Sequence, residues 1–174
     1  MKYLTLLIIL IPAFLFSQET TIKKGVPEDL NQSKLIILKH EQIEVKVTSD
    51  DKKEEKYLLL RQNNHNKVSK ESNAKLLGAS SEYPFEYDLA YKSEYKPLID
   101  SKCKYILDSS VYNNENISTQ PNEGELIVYE YFIRDIENNI AYKVFELDEM
   151  KVYDSKLIIK KLSKAVKKKF PDAY

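Results

Sequence analysis

A single cysteine, three glycines and no tryptophan in 174 residues set the first limits. Cys103 has no second cysteine to pair with, so the chain folds without an internal disulfide, and a lone cysteine of this kind is expected as a small buried apolar residue. Gly25, Gly78 and Gly124 stand far apart. Phosphate-cradling loops and dinucleotide fingerprints need clustered glycines that let the backbone approach a phosphate, and the Gly-x-Ser-x-Gly elbow of serine hydrolases needs two around one serine; neither arrangement exists here. Histidine is equally scarce. His40-Glu41-Gln42-Ile43-Glu44 follows a zinc-protease helix for two residues, but Glu44 stands where the second imidazole is required, and the stretch alternates like a strand. His65, between Asn64 and Asn66, reads as a solvated loop or helix start. No metal or cofactor is expected. An excess of charge is lacking too: 27 Lys and Arg face 27 Asp and Glu, so the bulk composition calls for neither nucleic acid nor a bilayer.

What is present begins with a leader. Met1-Lys2 precede an apolar run of about a dozen residues ending near Ser17, too short for a spanning helix, which needs about 20, and interrupted by Pro12. This pattern reads as a secretory signal peptide over 1–17, cut between Ser17 and Gln18, with no transmembrane segment after cleavage. Cys103 lies far from that point, so no acylated cysteine is expected at the new terminus. A mature part of about 155 residues suffices for one domain with its own core.

Residues 18–33 are polar and read as an extended lead-in to a domain over 34–170. Lys34 to Lys39 encloses four apolar residues, a strand buried on both faces, and Ile43, Val45 and Val47 alternate as a half-buried strand or an extension of it. Ser49 to Lys56 reads as a charged loop, and Tyr57 to Leu60 fits a strand or a first helical turn. Asn63, Asn64 and Asn66 resist a helix interior and suit a cap. A helix is expected from about His65 to Ala79, with Val68, Ser72, Lys75 and Ala79 on one stripe and Leu76 beside it. Phe85 to Leu89 alternates as a strand, Lys92 to Ser101 reads as a short helix, and Lys104 to Tyr112 as a strand. Asn113 to Gly124 is a polar loop. Glu125 to Arg134 and Ile140 to Leu147 then form a β-hairpin around Asp135 to Asn139, where asparagine tolerates the positive φ of a tight turn. The final helix is the clearest element: Asp154 or Ser155 caps it, Ile158, Leu162, Val166 and Phe170 form its stripe with Ile159 and Ala165, and Pro171 ends it.

The expected fold is therefore α/β (α+β): a mixed β-sheet with an antiparallel hairpin, helices packed on it, and a closing C-terminal amphipathic helix. That helix carries Lys160, Lys161, Lys164, Lys167 and Lys168, which name it as a possible polyanion or membrane contact. A core-packed helix with solvated lysines accounts for the same pattern. Carboxylate neighbours such as Asp148-Glu149 are chemically able to do acid–base work, but charged surface is the default.

The order strand, helix, strand, short helix, strand, hairpin, helix resembles the amino-terminal domain of TolB-type periplasmic proteins and the related domain of cell-wall-synthase activators and curli-secretion lipoproteins. Tyr95 to Leu107 is similar to that family's short helix, loop and apolar strand, and Ile133 to Asn139 to its strand, Asp and turn. Lys102-Cys103-Lys104 replaces the family's Gly-Ala-Asp, and Asn replaces its turn glycine. The leader and lean composition resemble those of small exported proteins from Bacteroidetes-type bacteria. The resemblance implies a non-enzymatic envelope protein that binds another protein. A periplasmic enzyme with a carboxylate or Tyr-based site and no linear motif is the alternative.

Overall fold

The computed structural model describes residues 20–44, 52–99, 102–112 and 128–173. The expected leader and the polar loop from Asn113 to Gly124 lie outside them. Six strands form one sheet: β1 (Thr21–Lys24), β2 (Leu35–Leu38), β3 (Tyr87–Ala90), β4 (Tyr105–Tyr112), β5 (Val128–Asp135) and β6 (Ile140–Asp148), in the spatial order β1-β6-β5-β4-β2-β3. β5 pairs antiparallel with both neighbours, and all other pairings are parallel. Two helices complete the α/β fold: α1 (Lys52–Ser80), between β2 and β3, and α2 (Ser155–Lys169), after β6.

β2 is the strand its composition demands, with Leu35, Ile36 and Ile37 all buried. Strand alternation divides the sheet. Leu35, Ile37, Tyr105, Leu107, Tyr131 and Ile133 face a core shared with Leu76 and Ala79 of α1 and Ile158, Ile159, Leu162 and Val166 of α2. Ile36 and Ile106 face the opposite way, into a smaller cluster with Ala90 and Cys103, which is buried as expected. On the same side, Asp108 pairs with Arg134 and Lys143 with Glu130.

α2 matches its sequence signals. Asp154 accepts from the Leu157 amide at 3.1 Å as N-cap, and Pro171 follows directly on the C-cap Phe170. Ile159, Leu162 and Val166 retain no accessible surface; burying such side chains contributes roughly 1.5–3 kcal/mol each. The hairpin is also as expected. Asn139 takes φ 53°, and Asp135 accepts from the backbone and side-chain nitrogens of Asn138 at 3.0 and 2.9 Å. One bulge shifts the register, so that Tyr131 faces Phe145 and Phe132 faces Lys143.

Several expectations need correction. Residues 21–24 of the expected lead-in form β1, an exposed edge strand parallel to β6, and Leu30 plugs the core. Gly25 ends β1 at φ +97°, a conformation other residues rarely adopt, while its amide donates to the Lys143 carbonyl at 2.9 Å. From Lys52 onward, the stretch read as a charged loop is helix. Lys and Glu are good helix formers, and Glu54 and Glu55 sit in the first turn, where they oppose the helix dipole. α1 thus reaches 29 residues, about 43 Å, and the asparagines read as a cap lie inside it. Its buried stripe is Ser69, Ser72, Leu76 and Ala79; Val68 and Lys75 face outward. The serines are small enough for close approach to α2, where the Ser72 and Ser155 hydroxyls meet at 2.7 Å. Ile43 lies outside the sheet, and Val45 and Val47 fall outside the described residues. The expected helix over Lys92–Ser101 shrinks to a 3-10 turn at Lys96–Leu98.

Candidate functional site

The chain leaving β2 returns to the sheet at β3 on one side, whereas the chain leaving β4 turns into β5 on the other. In open α/β sheets a crevice opens outside the carboxyl ends of two such strands. Here both histidines converge on it.

The wall of the crevice is the segment 39–44, which continues from β2 as extended chain along α1. Asn73 pins it at one point, accepting from the His40 amide at 2.9 Å and donating to the His40 carbonyl at 2.8 Å. Asn66 repeats the pairing at Ile43, at 2.8 and 2.9 Å. Seven helical residues rise about 10.5 Å, and three extended residues span about 10 Å, so two asparagines seven apart fit chain positions three apart. Each carboxamide thereby stands in for a neighbouring strand.

His65 closes the arrangement. Its Nε2 lies 3.0 Å from the Glu41 carbonyl, which only accepts, so the neutral ring carries its proton there. Nδ1 is left to accept from the Tyr153 hydroxyl at 2.7 Å. The His40 ring lies 5.0 Å from that of Tyr153, between centroids. Burial, reinforced by the positive charge His65 would carry, pushes the pKa of His40 below its ordinary 6.5. Burial also raises the pKa of Tyr153 and Tyr129.

Two cavities adjoin this knot. One, of about 220 Å³, is lined by His40, Glu41, Lys39, Lys92, Asp108 and Ser109 over an apolar floor that includes Ile37, Leu107 and Tyr131. The other, of about 510 Å³, lies between Ile43, Leu58, Arg61, His65, Tyr129 and Tyr153.

Glu41 accepts from the Ser93 amide at 2.9 Å, and Asp108 from the Ser109 amide at 2.8 Å and from Arg134 at 3.1 Å, so both carboxylates are already engaged. The Ser69 hydroxyl stands 3.3 Å from His65 Nε2, but Ser69 has no accessible surface and no substrate reaches it. A raised pKa makes Tyr153 a poorer nucleophile, not a better one. Asp148, half of the neighbouring carboxylate pair, is held by Lys151 at 2.5 Å, which lowers its pKa. Among the described residues no group of three or more His, Cys, Asp or Glu is placed to hold a metal ion, and no helix is long and apolar enough to cross a membrane.

The exposed lysines of α2 recur at helical spacing along one face. Lys160, Lys164, Lys167 and Lys168 are exposed, while Lys161 is half-buried and donates to the Glu146 carbonyl at 3.0 Å. Lys161 and Lys168 border an open groove with Lys24 and Lys143, a grouping that Lys160 and Lys164 do not join. Lys143 is paired there with Glu130 and Glu146. The apolar stripe that a lipid surface would need lies in the core.

Sequence reading did not bring His40, His65 and Tyr153 together, because 25 and 88 residues separate these partners along the chain. The seven-residue interval between Asn66 and Asn73 was the available signal. Set against family models, curated proteins and solved structures, the chain matches none.

Proposed function

We propose that this chain is an exported protein of the bacterial envelope, released from its leader at about Ser17, and that it acts as a non-enzymatic module binding another protein. The observation that carries the reading is the uneven use of α1. Its residues buried in the core begin at Ser69, and the preceding turns expose Tyr57, Leu60 and Val68 along one face, with Ile43 exposed alongside. An apolar surface rimmed by charge is the common signature of a protein contact. The rim holds Lys52, Lys53, Lys56, Arg61 and Lys67 against Glu54 and Glu55, so the fitting partner is apolar with an acidic border. The likeness of Tyr95 to Leu107 and Ile133 to Asn139 to envelope interaction domains supports the same reading.

The test is a photo-crosslinking residue at position 60 of the full chain in its native cell, compared with one at position 164 on α2. The reading expects a mature chain that begins at Gln18 and one discrete adduct from position 60, abolished by Tyr57→Glu. A precursor retaining Met1, or the same adducts from both positions, contradicts it.

A further inference from the structure

The smaller cavity has features that a protein contact on α1 does not explain. We infer that it is a binding site for a small organic anion with an apolar body, of the size and kind of benzoate. Several independent observations converge on this class. The cavity opens at the carboxyl end of β2, against Leu107–Ser109 of β4, where the strand order reverses and such folds receive their ligands. Its volume of about 220 Å³ exceeds the roughly 150 Å³ of an apolar cavity known to take up benzene, which leaves room for one ring and a carboxylate. Its floor, Ile37, Leu107, Tyr131 and Ile158, is apolar and belongs to the rigid core.

The charge of the rim selects the anion. Lys39 and Lys92 line the cavity and stand in no ion pair among the described residues. Lys39 lies over the Tyr91 ring, 3.8 Å from its centroid, which steadies the ammonium without neutralising it. The two acids on the rim are turned to other tasks: Asp108 is compensated by Arg134, and Glu41 holds the Ser93 amide. Ser155 and Ile158, from the first turn of α2, complete the lining. The wall itself is preorganised, since Asn73 and Asn66 fix the path of residues 39–44 before any ligand arrives.

Benzoate and its neutral isostere benzamide provide the test, each titrated into the protein and followed through backbone amide resonances. Benzoate is expected to give saturable shifts at Lys39–Glu41, Lys92 and Ser109, with a dissociation constant on the order of 1 mM, and benzamide to bind at least about tenfold more weakly. Lys92→Gln, at an exposed position, is expected to weaken benzoate about fivefold or more, whereas Lys164→Gln leaves it unchanged. Shifts that fail to saturate by about 20 mM, equal affinity for the two probes, or an unchanged constant in both Lys92→Gln and Lys39→Gln would overturn the inference.

Discussion

The two halves of α1 are continuous helix, yet they stand in opposite relations to the rest of the molecule. From Ser69 to Ser80 the helix places Ser69, Ser72, Leu76 and Ala79 against the core and α2, and Asn73 against the wall of the crevice. From Lys52 to Val68 no residue is buried, and contact is made at the edge, through His65 and Asn66 to residues 41–43 and through His65 to Tyr153. The difference teaches that helical length here is not set by the core. Tertiary packing stabilises the second half, while local propensity and the acidic first turn support the first, a marginal arrangement for an isolated helix in water.

Substitutions sharpen this contrast. The largest effect is expected at Leu76, buried in the main core: Leu76→Ala is expected to cost about 2–4 kcal/mol in urea unfolding, whereas Leu60→Ala, on the exposed half, stays within about 0.5 kcal/mol. A cost above about 1.5 kcal/mol at Leu60 would show that half to be packed after all. Next comes the carboxamide latch. Asn73→Ala removes both partners of the His40 backbone and is expected to cost about 1–2 kcal/mol; Asn66→Ala, at the exposed end, costs less.

The pH dependence is smaller and has a definite sign. His40 is held below 6.5 by burial and by His65, and the groups facing it are the His65 ring, the Tyr153 ring and the Val152 carbonyl. The unfolded chain therefore binds the proton first. Stability is complete above 6.5 and is lost as pH falls through the window beneath it. Unfolding curves between pH 7.5 and 5.5 should show this loss, and His40→Gln should flatten it. Asp29 acts in a separate, more acidic window. Hydrogen bonds from Lys104 and Tyr105 hold its pKa below 3.8, so its contribution is present above that value and disappears as pH falls further. The smallest effect belongs to the first turn of α1: Glu54→Lys with Glu55→Lys reverses the interaction with the helix dipole, worth about 0.3–1 kcal/mol, and lowers helicity by circular dichroism without moving the global transition.

Legibility in the sequence followed the same division. α2 could be read because every signal is local: an Asp cap, a stripe at helical spacing and a terminal proline. The hairpin was equally plain, with two apolar strands about an Asp-to-Asn turn. α1 was half read. Its seam is made of serines, which do not register as an apolar stripe, and its asparagines have poor intrinsic propensity, which for Asn66 and Asn73 pairing with Ile43 and His40 offsets. β1 was missed because four exposed residues carry no burial pattern; parallel pairing with β6 holds them. The crevice was not legible at all, since its residues come from strand ends, a helix and the turn before α2, and the sheet order that assembles them leaves no mark on any one segment.

Amide hydrogen exchange along α1 tests the central claim most directly. The account predicts a step in protection near Ser69: amides from Lys56 to Val68 exchange through local fraying, and those from Ser69 to Ser80 only with global unfolding. Uniform protection from Lys56 to Ser80 would contradict it.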